Sequence, residues 1–302
     1  MRSLLIFALV GVGAQLVDGA LGMAFGVTAS TLLVLSGVGA AQASAAVHLA
    51  EVGTTLASGL SHWRFKNIDW SIVLKLGVPG AIGAFAGATV LSSLSTKDAA
   101  PLMAAILMVI GIYVLLRFSL RTPPVIRSGA TPHTAKFLTP LGLFGGFIDA
   151  SGGGGWGPVT TSTLLSRGKA APRTVIGSVS ASEFLVAASA SLGFVVGLRE
   201  EFLANLPVVV GLAVGGILVA PFAAWLVSRV SPALLGTAVG GVIVLTNSQK
   251  LVHYFGIEWP WSTGIYSAIV VVWAVLVGYA WRASRAPKFV PRAVEVEAAP
   301  AR

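Results

Sequence analysis

The chain contains no cysteine. Disulfide frames, thiolate metal sites and cysteine nucleophiles are therefore excluded. Charge is nearly as scarce: Asp, Glu, Lys and Arg make up 10% of the 302 residues, and only 11 of these are acids. A soluble domain carries about a quarter charged residues, so this chain has too few to cover a water-facing surface. Several motifs of common chemistry are missing too. There is no GxxxxGK[ST] phosphate loop, no HExxH zinc helix and no GxSxG nucleophile elbow. Nucleotide-driven transport by this chain and the corresponding hydrolases drop out, and no cofactor is expected.

What is abundant is apolar sequence. Hydrophobic residues make 55% of the chain, mean hydropathy is +0.87, and there are 36 glycines. This composition predicts a polytopic membrane protein, with the lipid bilayer as its surroundings and glycine where helices pack closely. The net charge of +9 points to no nucleic acid partner, because the basic residues sit in short loops and in the C-terminal tail, as the positive-inside rule expects. Residues 1–17 have the outline of a signal peptide. The same segment recurs later in the chain, so it is read as part of the fold.

Apolar runs long enough for a bilayer, about 20 residues, fall at 4–35, 43–60, 72–94, 99–118, 137–165, 174–196, 203–227, 232–252 and 263–281. The first and fifth are interrupted by glycine. They also match each other: VDGALGMAFGVTASTLLVLSG (17–37) lies on IDASGGGGWGPVTTSTLLSRG (148–168). Asp18 falls on Asp149, Gly22 on Gly153, Phe25 on Trp156 and Gly26 on Gly157; a one-residue slip then sets Glu51 on Glu183. Pro101 meets Pro232, and each is expected to open a helix. The order of matches along the chain predicts two homologous halves.

Loop charges choose between two topologies. If each interrupted run dips into the membrane and returns, Arg64, Lys66, Arg117, Lys136, Arg167, Lys169 and Arg173 all fall on one face with the basic tail. If each run crosses as one long tilted helix, they are split between both faces. The first arrangement gives each half three full crossings, and an odd number inverts the second half. The expected fold is thus an all-α polytopic membrane protein of two inverted repeats, each a glycine-broken re-entrant helical hairpin plus three transmembrane helices, with one extra C-terminal transmembrane helix. Its segments are a first repeat at 3–120, a cytoplasmic basic linker at 121–135, a second repeat at 136–252, the extra helix at 263–282 and a cytoplasmic tail at 283–302. The N-terminus is expected outside the cell membrane and the C-terminus in the cytoplasm.

Non-helical backbone at membrane depth survives where protein buries it or where it lines a polar cavity. Two half-helix N-termini meeting there would offer N–H groups and positive partial charge to a small anion. The residues placed at such a cradle are Gly22, Gly26, Thr28, Ser30 and Thr31 in the first half, and Gly153, Gly154, Gly155, Trp156, Gly157, Thr160 and Thr161 in the second. The plainer alternative is close helix packing by small residues.

The two motifs DGALGMAFGV and DASGGGGWGPV, with the doubled organisation, resemble those of the sulfite exporter TauE/SafE family of membrane permeases. The resemblance runs from about Leu5 to Trp281. It implies transport of sulfur-containing anions such as sulfite, thiosulfate or organosulfonates, with the glycine turns in the substrate path.

Acids within apolar helices are costly and usually functional. Asp18 and Asp149 precede the turns, Glu51 and Glu183 lie in the helix after each hairpin, and His48 shares a helical face with Glu51. A proton relay is one reading of these five; capping of the turns by the aspartates is the other. Lys75 is expected to snorkel to an interface, Asn247, Ser248 and Gln249 to lie at one, and Trp63, Trp70, Trp259 and Trp261 to form an aromatic belt. The functional expectation is a secondary transporter for a small anion, working by alternating access with proton coupling. An anion channel is the alternative. An enzyme using Asp18 and Asp149 as a catalytic pair is a third reading, which the repeat symmetry of the two residues makes unnecessary.

Overall fold

The structure is a computed structural model that describes residues 2–21, 23–120, 133–167, 169–198, 206–227 and 231–285. Gly22 and nearly all of the segments at 121–135 and 283–302 lie outside the described residues. All regular elements among the described residues are helical. The first half comprises α1 (Arg2–Leu21), α2 (Phe25–Leu35), α3 (Ala40–Arg64), α4 (Trp70–Ser93) and α5 (Thr96–Leu120). The second comprises α6 (Ala135–Gly152), a π-helical turn (Gly157–Thr161) continuing into α7 (Ser162–Arg167), α8 (Pro172–Leu198), α9 (Leu206–Val227) and α10 (Pro232–Tyr254). A last helix, α11 (Trp261–Arg285), follows. Each interrupted run is thus two helices: α1 ends at Leu21 and α2 starts at Phe25, and the second run is broken at 153–156.

Trp70–Ser93, Lys97–Leu120, Arg173–Leu198 and Trp261–Ser284 are long and apolar enough to cross a membrane. Large apolar side chains stand exposed on the outside of the bundle, among them Leu5, Phe144, Ile217, Leu218 and Val275. Such a surface suits hydrocarbon and not water.

The halves interlock. α1 lies along α9, and α6 lies along α4, so the first helix of each half packs on the fourth element of the other half's series. α3 also meets α8, and α5 meets α10. The two long pairings use glycine in the same way. A Cβ on Gly83 or Gly146 would run into the backbone carbonyl of Leu143 or Gly80 across the α4–α6 seam; Gly11 and Gly215 have the same relation to Leu212 and Ala8 across α1–α9. Without side chains the backbones approach directly, which is how helices associate where the hydrophobic effect gives no drive.

Two expectations are corrected. Pro101 does not open its helix. α5 starts upstream at Thr96, where the Ser95 hydroxyl donates to Asp98 (2.6 Å) and accepts from the Asp98 N–H (3.3 Å), a reciprocal cap that sets the start before the proline. Asn247 and Ser248 are not interfacial but buried. Asn247 Nδ2 donates to Ile243 O (2.8 Å) and to the Thr31 hydroxyl (3.4 Å), tying α10 to α2. Trp63, Trp70, Trp259 and Trp261 are exposed, at 54–79%.

Candidate functional site

Both breaks are held by their aspartates. Asp18 Oδ1 accepts from the N–H groups of Ala24 (2.9 Å) and Phe25 (3.2 Å). Asp149 Oδ1 accepts from the Trp156 N–H (2.8 Å), seven residues on, as Phe25 is from Asp18. An N–H at a helix start has no acceptor inside its own helix, and a carboxylate there also meets the positive end of the dipole. The equivalent positions of the two halves do the same job.

The second turn is the more strained. Gly153, Gly154 and Gly155 have φ of 71°, 146° and 151°, a region L-residues with a Cβ seldom enter. This lets the Gly154 backbone settle on Gly26: a Cβ on Gly26 would stand 2.8 Å from Gly154 Cα and 2.8 Å from Glu51 Oε1. The Ser30 hydroxyl donates to the Gly153 carbonyl across the same contact. The two breaks, far apart in sequence, therefore touch.

Beside that contact is a cavity of about 200 Å³, bordered by Gly26, Gly155, Gly157 and Thr161 from the breaks and by all four carboxylate residues, Asp18, Glu51, Asp149 and Glu183. No Lys, Arg or His lines it among the described residues. Glu51 is 4% exposed and its Oε2 has no hydrogen-bond partner. Neither Glu51 nor Glu183 has a cationic partner among the described residues.

The other expected residues lie elsewhere. Trp156 is fully buried, its indole Nε1 donating to Val179 O (3.3 Å) and its ring against Gly80 and Gly145; it wedges α6, α4 and α8 and does not border the cavity. Thr160 donates back to Trp156 O (2.5 Å). Thr28 and Thr31 face a separate apolar cavity of about 180 Å³ beside Trp273 of α11. Lys75 donates to Ser71 (2.7 Å) in the first turns of α4 and is exposed.

His48 is wholly buried and does not line the cavity. Its Nδ1 is 2.8 Å from the Ser44 carbonyl, which only accepts, so Nδ1 carries hydrogen. Its Nε2 is 3.1 Å from Asp149 Oδ2. This contact ties α3 to the second break. The matching position in the second half is Ser180, which borders the cavity.

Sequence reasoning missed Gln15, Thr54, Thr55, Ser58 and Ser180, which also border the cavity. The signal was present. Glu51, Thr54, Thr55 and Ser58 fall at i, i+3, i+4 and i+7, one polar stripe along α3, and Gln15 lies a turn before Asp18.

At the loop end of α6, His133 is buried and stacks on Phe137 (6.0 Å), and the Arg167 guanidinium sits 3.6 Å above the same Phe137 ring. Burial pushes the His133 pKa down, Lys169 and Arg167 push it further, and Asp69 opposes them.

A glycine-broken helix pair in each half, meeting at a polar cavity inside an apolar bundle, defines a membrane transport protein as a class. Comparison narrows it. The chain belongs to the sulfite exporter TauE/SafE family, whose profile matches residues 7–249. It is 46% identical over 277 residues to the "Probable membrane transporter protein YtnM" of Bacillus subtilis (strain 168), covering 90% of this chain and 91% of that one. No solved structure matches.

Proposed function

We propose that the chain is a secondary transporter for a small anion, a sulfur oxyanion or organosulfonate, working by alternating access with proton coupling. The observation that carries this is the cavity where the two broken helices meet, bordered by glycine backbone, Thr161 and the paired acids Glu51 and Glu183. The family name agrees with transport of such a solute, and the relative's name with membrane transport. An anion beside carboxylates is stable once these are protonated, so loading a proton and loading the anion favour each other.

The exchanged packing of α1 on α9 and α6 on α4 supports an inverted repeat. In the orientation that keeps the basic loops cytoplasmic, the stripe Glu51, Thr54, Thr55, Ser58 leads inward toward Arg64. Outward along α3, every residue from Ala43 to His48 is 0–1% exposed, and a second cavity begins at Gln42. A path closed by packed side chains on one side favours alternating access over a channel. This reading is an inward-facing state.

The test is uptake of thiosulfate and sulfite into proteoliposomes under an imposed pH gradient. Saturable uptake that rises with the proton gradient, and that loses its pH dependence in Glu51→Gln and Glu183→Gln, is expected. Flux at channel rates without saturation would overturn the alternating-access reading, and an unchanged pH profile in both variants would overturn the coupling.

A further inference from the structure

The cavity's charge does not match a plain anion. Four carboxylate residues border it and, among the described residues, no cationic side chain does. The amides expected to receive an anion are partly taken by the chain itself: Ala24, Phe25 and Trp156 donate to Asp18 and Asp149. Asp149 has His48 as a partner. Glu51 and Glu183 have no cation among the described residues, and the buried Oε2 of Glu51 has no hydrogen bond at all. A buried polar atom in that state is short of a donor, and the solvent-poor interior makes the shortage costly.

We propose that the occupant is a small zwitterion, an aminosulfonate or amino acid whose ammonium group lies between Glu51 and Glu183 and whose acidic end lies toward Thr161 and the two glycine breaks. The proposal rests on the transporter reading and names the substrate class of that site; the ligand's ammonium then takes the place of the coupled protons at Glu51 and Glu183. An ammonium brings three donors, one of which meets Glu51 Oε2. The hydroxyls of Ser58, Thr161 and Ser180 have no protein partner among the described residues and border the same cavity. They supply donors to the anionic end where the backbone amides are already in use. A bare metal ion fits less well, since no three acidic or histidine side chains among the described residues converge on one point. The half-helix ends and the carboxylates then have separate tasks, one for each pole of the ligand.

Three sulfonates that differ at the far end decide the matter: taurine carries an ammonium, isethionate a hydroxyl and sulfoacetate a carboxylate. Binding to the purified full-length protein is read by thermal stabilisation and calorimetry. Taurine is expected to bind at least about tenfold tighter than isethionate, as a buried charge pair allows, and sulfoacetate more weakly still. Glu51→Gln is expected to erase that preference by weakening taurine binding about tenfold. Should Glu51→Gln fail to fold, Glu183→Gln carries the same expectation. If isethionate or sulfoacetate binds as well as taurine, or only sulfite or thiosulfate binds, the zwitterion proposal falls and the anion transporter stands. If no anion or zwitterion binds to folded, monodisperse protein, both fall.

Discussion

The breaks after Asp18 and after Asp149 solve one problem with different materials. Each aspartate caps the helix that follows, and each cap closes on an aromatic seven residues later. Yet the first break is spelled Met23, Ala24, Phe25 and the second Gly154, Gly155, Trp156. Three successive glycines at positive φ let the second break press its backbone onto Gly26, and the first break receives that contact. The aromatics differ as well. Trp156 fills a fully buried slot against Gly80, while Phe25 borders the cavity. The helices that follow diverge too: α3 places His48 on Asp149, and α8 places Ser180 at the matching position, where it borders the cavity with Asp18. The two halves thus differ at one histidine and one aromatic on an otherwise shared plan.

Substitutions at paired positions test that contrast, beginning with the largest effect. Gly154→Leu is expected to prevent the second break from forming, because strained backbone costs about 1–3 kcal/mol and overpacking against Gly26 and Val27 about 1–3 kcal/mol more. Met23→Leu, at the matching place, is expected to leave folding intact. Size-exclusion profiles and melting temperatures of the two proteins separate these outcomes, and equal tolerance would remove the structural distinction between the breaks.

Asp149→Ala is next. It removes a cap and also leaves His48 buried without its partner, a loss of about 3–5 kcal/mol for a broken buried pair. Asp18→Ala removes a cap alone, at about 1 kcal/mol. Denaturation of the two variants in one detergent should rank them in that order; a reversed rank would mean that the His48 contact adds nothing.

Ser180→His sharpens the comparison from the opposite direction, by giving the second half the first half's residue. The new imidazole is expected to reach Asp18 and fill the cavity they both border, so that turnover in proteoliposomes falls by about tenfold, which corresponds to about 1.4 kcal/mol. Unchanged turnover would show that it does not fill that cavity.

The smallest effect is acid sensitivity at the loop end of α6. A histidine whose folded pKa is lowered binds its proton less readily than the unfolded chain does. Stability is therefore complete above the unfolded pKa of about 6.5 and is lost as pH falls through the lower folded value. His133→Phe should flatten the stability curve below that pH, while the parent protein loses stability there. The same slope in both proteins would assign the acid sensitivity to other groups.

Much of the plan was legible before any coordinates. Two glycine-interrupted runs, their mutual alignment and the succession of apolar stretches anticipated two broken helix pairs, three further helices in each half and one more at the end. The equivalence of Asp18 with Asp149 was legible too, and capping was among its readings. The content of the cavity was less so. Trp156, Thr28, Thr31 and Thr160 carry the right chemistry at the right place in the chain, but the helices bearing them are turned so that these side chains meet other helices. Thr54, Thr55 and Ser58 were overlooked although their spacing with Glu51 marks a face, because hydroxyls are common on membrane helices and only a hollow beside that face makes them a lining.

Sequence alone determined the medium, the doubling and the places where the helices break. Composition sets the solvent in which the chain can be stable, and glycine sets where backbone can leave the helix; both are local properties. Only the tertiary structure decided that the two breaks touch, that His48 pairs with the aspartate of the other half, and that Glu51 is left with an unpaired oxygen. Those facts depend on the rotation and depth of helices from different halves relative to each other. Many close backbone contacts set these at once, and no single stretch of sequence contains them.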